Sequence, residues 1–371
     1  MPAATPPDAD IALRNGCTRW LQGHRPLRSM RESLLALAEV PEAALPLDVY
    51  GQGRAMQALE AEVATLLGKP AARFMHKGVA AQLAALKVWA LRRNNAVVAL
   101  HRQSHIAIDE QDAFEHLMGL TGQRLGYADT PLTVSLIDAC ARGGVLPGAV
   151  TIELPLRRAG YRLPTWSELR AISLWCRERG VPLHFDGARL WEAAAHYERP
   201  LHEVAALADS VYVSFYKGLG GLAGCVLAGD ASFIAETAPW QARLAGNVFT
   251  LHPFVLSALH GLRRHAPRMP VYRKRAQGLA ALLAAEPGWR VAPEPPQVNA
   301  FQLHLPAAPG RLREALLDVA RRDGFWLGAR AEASTVLAGG AMMEVVIGDA
   351  AEDWTDTDAL AALRRAVQAA G

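Results

Sequence analysis

An acid and a lysine stand in this chain where neighbouring strands of an open sheet would deliver them to one place. VPLHFDGA (181–188) reads as a buried strand with Asp186 at its end, and DSVYVSFYKG (209–218) reads as an alternating strand ending on Lys217. The carboxyl ends of adjacent parallel strands open into a shared crevice. A carboxylate and an amine placed there match what pyridoxal phosphate requires, namely a lysine for its Schiff base and an acidic partner for its ring nitrogen. The acid keeps that nitrogen protonated, so the ring accepts a carbanion's electrons. The cationic ring in turn disfavours the lysine as ammonium, which suits a nucleophile.

Blander readings compete with this one. An isolated Asp–Gly at a strand end is commonly a turn, and a lysine before glycine commonly faces solvent. His184 and Asp186 share one strand face at i and i+2 and offer two metal ligands, but no third follows at convincing spacing. Gly218-Leu-Gly-Gly-Leu-Ala-Gly224 has the look of a dinucleotide loop, yet it leads into another apolar strand (GCVLAG) rather than a helix. Small residues after Lys217 fit better as room for a bulky cofactor. A Ser/His/Asp hydrolase lacks its G-x-S-x-G elbow.

The elements that must position Asp186 and Lys217 follow from periodicity. Met56, Leu59, Val63, Leu66 and Leu67 recur at helical spacing from Arg54 to Leu67, and Gly68 closes the run. A second helix starts near Gly78, and AVVALHR and AVTIELP read as buried strands. Between AVTIELP and VPLHFDGA, Thr165 and Glu168 fit a capping box and Gly180 a C-cap. Strands separated by helices of this length predict an α/β fold, a doubly wound and mostly parallel sheet. From about Pro253 the pattern changes to one long helical stretch, the strand VNAFQLHL, an amphipathic helix and the strand MMEVVIG. That predicts a large domain over 45–252 and a smaller α+β domain from 1–44 and 253–371.

Composition narrows the class. The chain has 371 residues, 51% hydrophobic and 20% charged, with a formal net charge of +3. This describes a soluble globular protein with no basic run to hold nucleic acid and no apolar run to cross a membrane. The opening MPAATPPDAD has neither the positive nor the apolar region of a secretory signal. Cys17, Cys140, Cys176 and Cys225 lie far apart without a CxxC pair, as expected of thiols in a reducing compartment. The expectation is a cytoplasmic enzyme.

HFDGARLWEA (184–193) followed by DSVYVSFYKGLGG (209–221) resembles the threonine aldolase/β-eliminating lyase family of fold type I pyridoxal phosphate enzymes. VYGQG (49–53) and the stretch 58–86 resemble that family's tyrosine–glycine loop and phosphate-loop helix, and the similarity runs in order from about Arg25 to His260. The resemblance implies that Lys217 carries the Schiff base and Asp186 meets the pyridinium nitrogen. It implies that His105 stacks on the ring, and that Arg189 contacts the substrate carboxylate or the cofactor's phenolic oxygen. The phosphate falls to the loop Lys77-Gly78-Val79, whose helix amides form an anion site, with Ser214 in reach. Arg243 lies near where the family sends a basic group to a neighbouring subunit's phosphate. A homodimer or homotetramer and a small amino-acid substrate follow from the same resemblance.

Three departures from the family pattern fall in the substrate pocket and the phosphate loop. Val79 replaces a hydroxyl residue and cannot donate a hydrogen bond, so Lys77 is expected to compensate by charge. In Glu153-Leu-Pro-Leu-Arg-Arg158 an apolar residue stands at the aldolases' histidine position, with Arg157 and Arg158 after it. The strand that usually supplies a carboxylate-binding arginine reads Met342-Met343-Glu344-Val345. The expected activity is cleavage of a β-hydroxy-α-amino acid to glycine and an aldehyde, with Arg157 or Arg158 joining Arg189 on the carboxylate. β-Elimination, transamination, decarboxylation and a catalytically silent cofactor binder remain open alternatives, since one electron sink serves each reaction.

Overall fold

Five-residue strands, most of them apolar, build the sheet of the larger unit. The computed structural model describes residues 8–127, 129–144 and 146–371, and these form two units: Leu34–Pro267, and the residues up to Ser33 together with Arg268–Gly371. In the larger unit, strands β1 (Ala71–Met75), β2 (Val97–His101), β3 (Thr121–Leu125), β4 (Ala149–Glu153), β5 (Leu183–Gly187), β6 (Ser210–Ser214) and β7 (Cys225–Gly229) form one seven-stranded sheet in the order β1-β7-β6-β5-β4-β2-β3. β7 runs against its neighbours β6 and β1, and the pairs from β6 across to β3 are parallel. Every residue of β4, β5, β6 and β7 is buried, as befits a sheet covered on both faces, whereas the edge strand β3 has none buried. The alternation expected of 209–218 is therefore absent, and β6 ends at Ser214, three residues before Lys217.

Helix α1 (Arg54–Leu67) buries Met56, Leu59, Val63 and Leu67 and ends where Gly68 takes φ 60°. Helix α2 (Gly78–Arg93) is buried along most of its length. Helix α3 (Trp166–Glu178) starts as its sequence predicts, with the Thr165 hydroxyl accepting the Glu168 N–H at 3.2 Å, and Gly180 at φ 59° follows its end. Only half of the capping box forms, because the Glu168 carboxylate accepts the Val134 N–H instead. Helices α4 (Leu190–Tyr197), α5 (Ala231–Arg243) and α6 (His252–His265) complete the frame around the site.

The boundaries between units differ from those expected at 44/45 and 252/253. Helix α6 packs on α1 within the larger unit. The long helical stretch breaks at 266–268, and the next helix, α7 (Met269–Ala284), has a proline in its first turn, where the missing N–H costs nothing. In the smaller unit β8 (Arg290–Ala292), β9 (Ala300–Leu305), β10 (Glu332–Ala333) and β11 (Ala341–Val346) form an antiparallel sheet in the order β10-β11-β9-β8. Helices α8 (Pro309–Asp323) and α9 (Asp356–Ala370) pack on one another beside it. Glu344 lies in β11 opposite Gln302, and its carbonyl accepts the Gln22 side-chain amide at 2.6 Å. No helix among the described residues is long and apolar enough to cross a membrane.

Candidate functional site

Parallel register aligns Glu153, Asp186 and Tyr212 across β4, β5 and β6, so their side chains leave the same face of the sheet. Helix α2 lies over that face. Gln82 donates its side-chain amide to Asp186 Oδ2, and the Ala188 N–H reaches Asp186 Oδ1 at 3.1 Å. Asp186 is 4% exposed, so both contacts form out of water, where charge-assisted hydrogen bonds hold a carboxylate most firmly.

Lys217 lies in the connection between β6 and the reversed strand β7. The chain turns there with Gly220 at φ 69° and Gly224 at φ 92°, conformations that glycine adopts without strain. The position differs from the expected strand end, yet the amine still feels the charges of Asp186, Glu153, Glu110 and Arg189. Burial, the largest influence, and the charge of Arg189 both favour its neutral form; Asp186, Glu153 and Glu110 pull the other way. The balance leaves Lys217 below the ordinary lysine range, a direction that favours a nucleophilic amine.

Gly78 opens α2 against Tyr212. A Cβ on Gly78 would sit 2.1 Å from the Tyr212 hydroxyl, so only glycine lets the helix start this close to β6. The N-cap residue Lys77 makes no side-chain cap, and the first-turn amides of a sixteen-residue helix are left as a site for an anion. The Lys77 ammonium stands 4.8 Å from the centre of the Tyr216 ring. Val79 is half-buried, and Ser214, at the end of β6, is fully buried. The Trp191 indole donates to the Ser214 carbonyl at 3.2 Å.

His105 starts a one-turn helix beyond β2. Its Nδ1 lies 2.9 Å from Glu110 Oε1, and its backbone N–H donates to Glu153 Oε2 at 2.7 Å. Glu153 also accepts the Arg157 N–H at 3.1 Å. Burial first, and the charge of Asp186 second, push Glu153 up to about 7, so near neutrality the pair carries less than two full negative charges. The two candidate carboxylate arginines part company. Arg158 grips Asp109 with both arms of its guanidinium, Nε at 3.0 Å, whereas Arg157 lends its backbone to Glu153. Arg189 sits over the Tyr161 ring at 5.3 Å. Arg243 ends α5 with its guanidinium over Trp240 at 4.5 Å, exposed to solvent.

The structure thus gathers Asp186, Lys217, Arg189, Gly78 and the His105 segment in the larger unit, and it adds Gln82, Glu110, Glu153 and Tyr212, which sequence reasoning left without a role. Gln82 falls four residues after Gly78, one helical turn on and on the same face; that spacing was the available signal. The VYGQG loop places Tyr50 at φ 50°, with its N–H donating to the Phe249 carbonyl at 2.8 Å and its ring edge-on to Phe249. Both rings are exposed.

Known proteins resemble this chain over most of its length. A family model described as beta-eliminating lyase matches residues 25–306. The low-specificity L-threonine aldolase 1 of Arabidopsis thaliana is 29% identical over 274 residues, spanning 72% of this chain and 75% of its own. The low specificity L-threonine aldolase of Escherichia coli (strain K12) is 28% identical over 262 residues, spanning 70% and 76% respectively. A solved structure from Listeria monocytogenes EGD-E, provisionally named an L-allo-threonine aldolase, superposes with a TM-score of 0.88 at 34% identity, covering 96% of this chain and 98% of that one.

Proposed function

The chain belongs to the beta-eliminating lyase family, and from that premise we propose that it cleaves a β-hydroxy-α-amino acid to glycine and an aldehyde. It is a pyridoxal phosphate-dependent lyase of the threonine aldolase type. The observation that supports the proposal is that Asp186, held by Gln82 one turn into the uncapped helix α2, lies near enough to act on the charge of the buried Lys217. These residues fit the cofactor's three demands: an amine for its aldehyde, an acid for its ring nitrogen and amides for its phosphate. When bound, the cofactor supplies an electron sink for the pair released as a bond at the substrate's Cα breaks.

The chain's own residues divide the remaining work. Lys217 would hold the cofactor through its amine, which burial and Arg189 keep below the ordinary lysine range. His105, held at Nδ1 by Glu110, would stack on the cofactor ring. Lys77 and Ser214 would support the phosphate, with Gly78 and Val79 lending backbone amides. An amino-acid panel scored for aldehyde, ammonia and keto acid tests the reading. Aldehyde and glycine are expected from β-hydroxy-α-amino acids; ammonia and keto acid without aldehyde would move the assignment to β-elimination.

Arg189 receives the substrate carboxylate in this proposal, with Arg157 as its neighbour, because Arg158 is already held by Asp109. Arg189→Ala is expected to raise the substrate's KM by the equivalent of about 1.5–3 kcal/mol, the range for a hydrogen bond to a charged group. An unchanged KM in steady-state kinetics would remove Arg189 from the pocket. The exposed Tyr50–Phe249 pair and the exposed Arg243 support a two-fold assembly in which these segments meet a second copy. Sedimentation should find at least a dimer; a monomer that binds cofactor tightly would contradict this.

A further inference from the structure

A hydrogen-bond chain runs behind Asp186 that none of the steps above uses. The Trp89 indole donates to Ser210 Oγ at 2.8 Å, and Ser210 Oγ lies 2.8 Å from His184 Nδ1. His184 Nε2 lies 3.1 Å from Gln82 Oε1, and Gln82 donates through Nε2 to Asp186 Oδ2. All five side chains are buried, and Ser210 and His184 are completely so. The chain joins α2 to β5 and β6, the elements that also frame the phosphate site and lead into Lys217.

The direction of the protons is set at the Asp186 end and accommodated at the Trp89 end. An indole N–H only donates, so Ser210 Oγ accepts from Trp89 and can turn its own hydrogen toward His184 Nδ1. The imidazole then carries its hydrogen on Nε2 and donates it to Gln82 Oε1. With its oxygen engaged, the Gln82 amide presents its NH₂ to Asp186. The far end imposes the same polarity, because an ionised carboxylate accepts only and would repel an amide oxygen. A flipped Gln82 would therefore set its oxygen against Asp186 and force His184 into its other tautomer, in a place where unmade hydrogen bonds are costly. Burial also pushes His184 down to about 4, against the pull of Asp186's charge, which leaves the ring neutral near pH 7.

We propose that His184 and Gln82 are positioning residues that lock Asp186 in place as an acceptor for the cofactor's ring nitrogen, through a one-way relay anchored at Trp89. This rests on the assignment of the site given above and extends it to side chains that do not touch the cofactor. The relay explains why a glutamine sits one turn into a helix whose residues 78–86 are otherwise small and apolar. It also gives a job to a histidine that faces no substrate.

Histidine-selective ¹⁵N NMR on the holoenzyme reads the first claim directly. His184 should be neutral with its hydrogen on Nε2; a cationic ring, or one protonated on Nδ1, overturns the relay. The second claim is read from Gln82→Leu and His184→Phe, with circular dichroism to confirm folding. Each should weaken cofactor binding and lower kcat by about 10- to 100-fold, the range for removing a group that orients a functional residue, with KM little changed. The visible band of the bound cofactor should titrate at a different pH from wild type. His184→Gln, which can accept from Ser210 and donate to Gln82, should restore most of both. Wild-type spectra and kcat in the Leu and Phe variants would overturn the proposal, and so would failure of the Gln variant to improve on Phe. If borohydride fixes no cofactor on Lys217 in the wild type, the site assignment itself fails. An adduct on Lys217 with unperturbed variants sinks the relay alone.

Discussion

Lys217→Ala is expected to lower turnover by about 10⁴-fold, the scale on which an enzyme loses a covalent nucleophile, and to abolish borohydride fixation of the cofactor. The amine sits in the turn between β6 and β7, and burial together with Arg189 holds it below the usual lysine range. The sign follows from this. A lowered folded pKa means that the free amine persists to lower pH than in an exposed lysine, whose value is about 10.4. Reloading of the apoenzyme with cofactor should therefore remain fast toward neutrality and slow only as the amine protonates. Peptide mapping of the reduced wild-type protein should place the adduct on Lys217. An adduct on Lys77 or Lys87, or a Lys217→Ala variant that still turns over at the wild-type rate, would overturn the assignment. Lys77 is the sharper control, because its ammonium stands over the Tyr216 ring at the start of α2 and is a second lysine in the neighbourhood of the site.

What was legible in the sequence was local or patterned. Gly68 and Gly180 close their helices, and Thr165 caps its own, because caps depend on residues within one turn. Asp186 and Lys217 stood out through their spacing from apolar runs, and the family resemblance rested on those same residues. The strands β1 and β3 were overlooked. β1 carries Arg73 within a short run, and TGQRL at the sheet edge has no buried residue to set a pattern. Lys217 read as a strand end because FYKG continues the apolar spacing of β6, whereas the chain turns there to enter the reversed strand β7. Gln82, Glu153 and Tyr212 needed three-dimensional information. Their convergence depends on strand register and on which face of α2 meets the sheet, and neither is written in any one segment. The Arg158–Asp109 pair likewise joins residues 49 apart, so the choice among arginines could not be made from the basic pair itself.

Asp186→Ala is expected to keep a fraction of the bound cofactor yet lose about 10³-fold in turnover, in line with removing a preorganised electrostatic partner from a catalytic site. Under this proposal the carboxylate has two separate duties. It accepts from Gln82 and from the Ala188 N–H, which fixes its position, and its charge favours a protonated ring nitrogen facing it. Alanine removes both and leaves the Gln82 amide and the Ala188 N–H without their acceptor, so part of the loss will be structural. Asp186→Asn separates the two duties. It keeps the volume and one accepting oxygen for the backbone N–H, but its amide cannot hold a positive charge on the ring nitrogen. If charge is what matters, the Asn variant should bind cofactor better than Ala while turning over almost as slowly. If position is what matters, Asn should recover most of the rate. Glu153 sharpens the reading, since it stands in register with Asp186 and is pushed up to about 7 by burial and by that neighbour's charge. Removing the Asp186 charge removes the second of those causes, so Glu153 should ionise at lower pH in the Asn variant. That displacement is measurable in the pH profile of cofactor binding. Undiminished turnover in both variants would mean that Asp186 serves the fold and that the ring nitrogen finds its partner elsewhere.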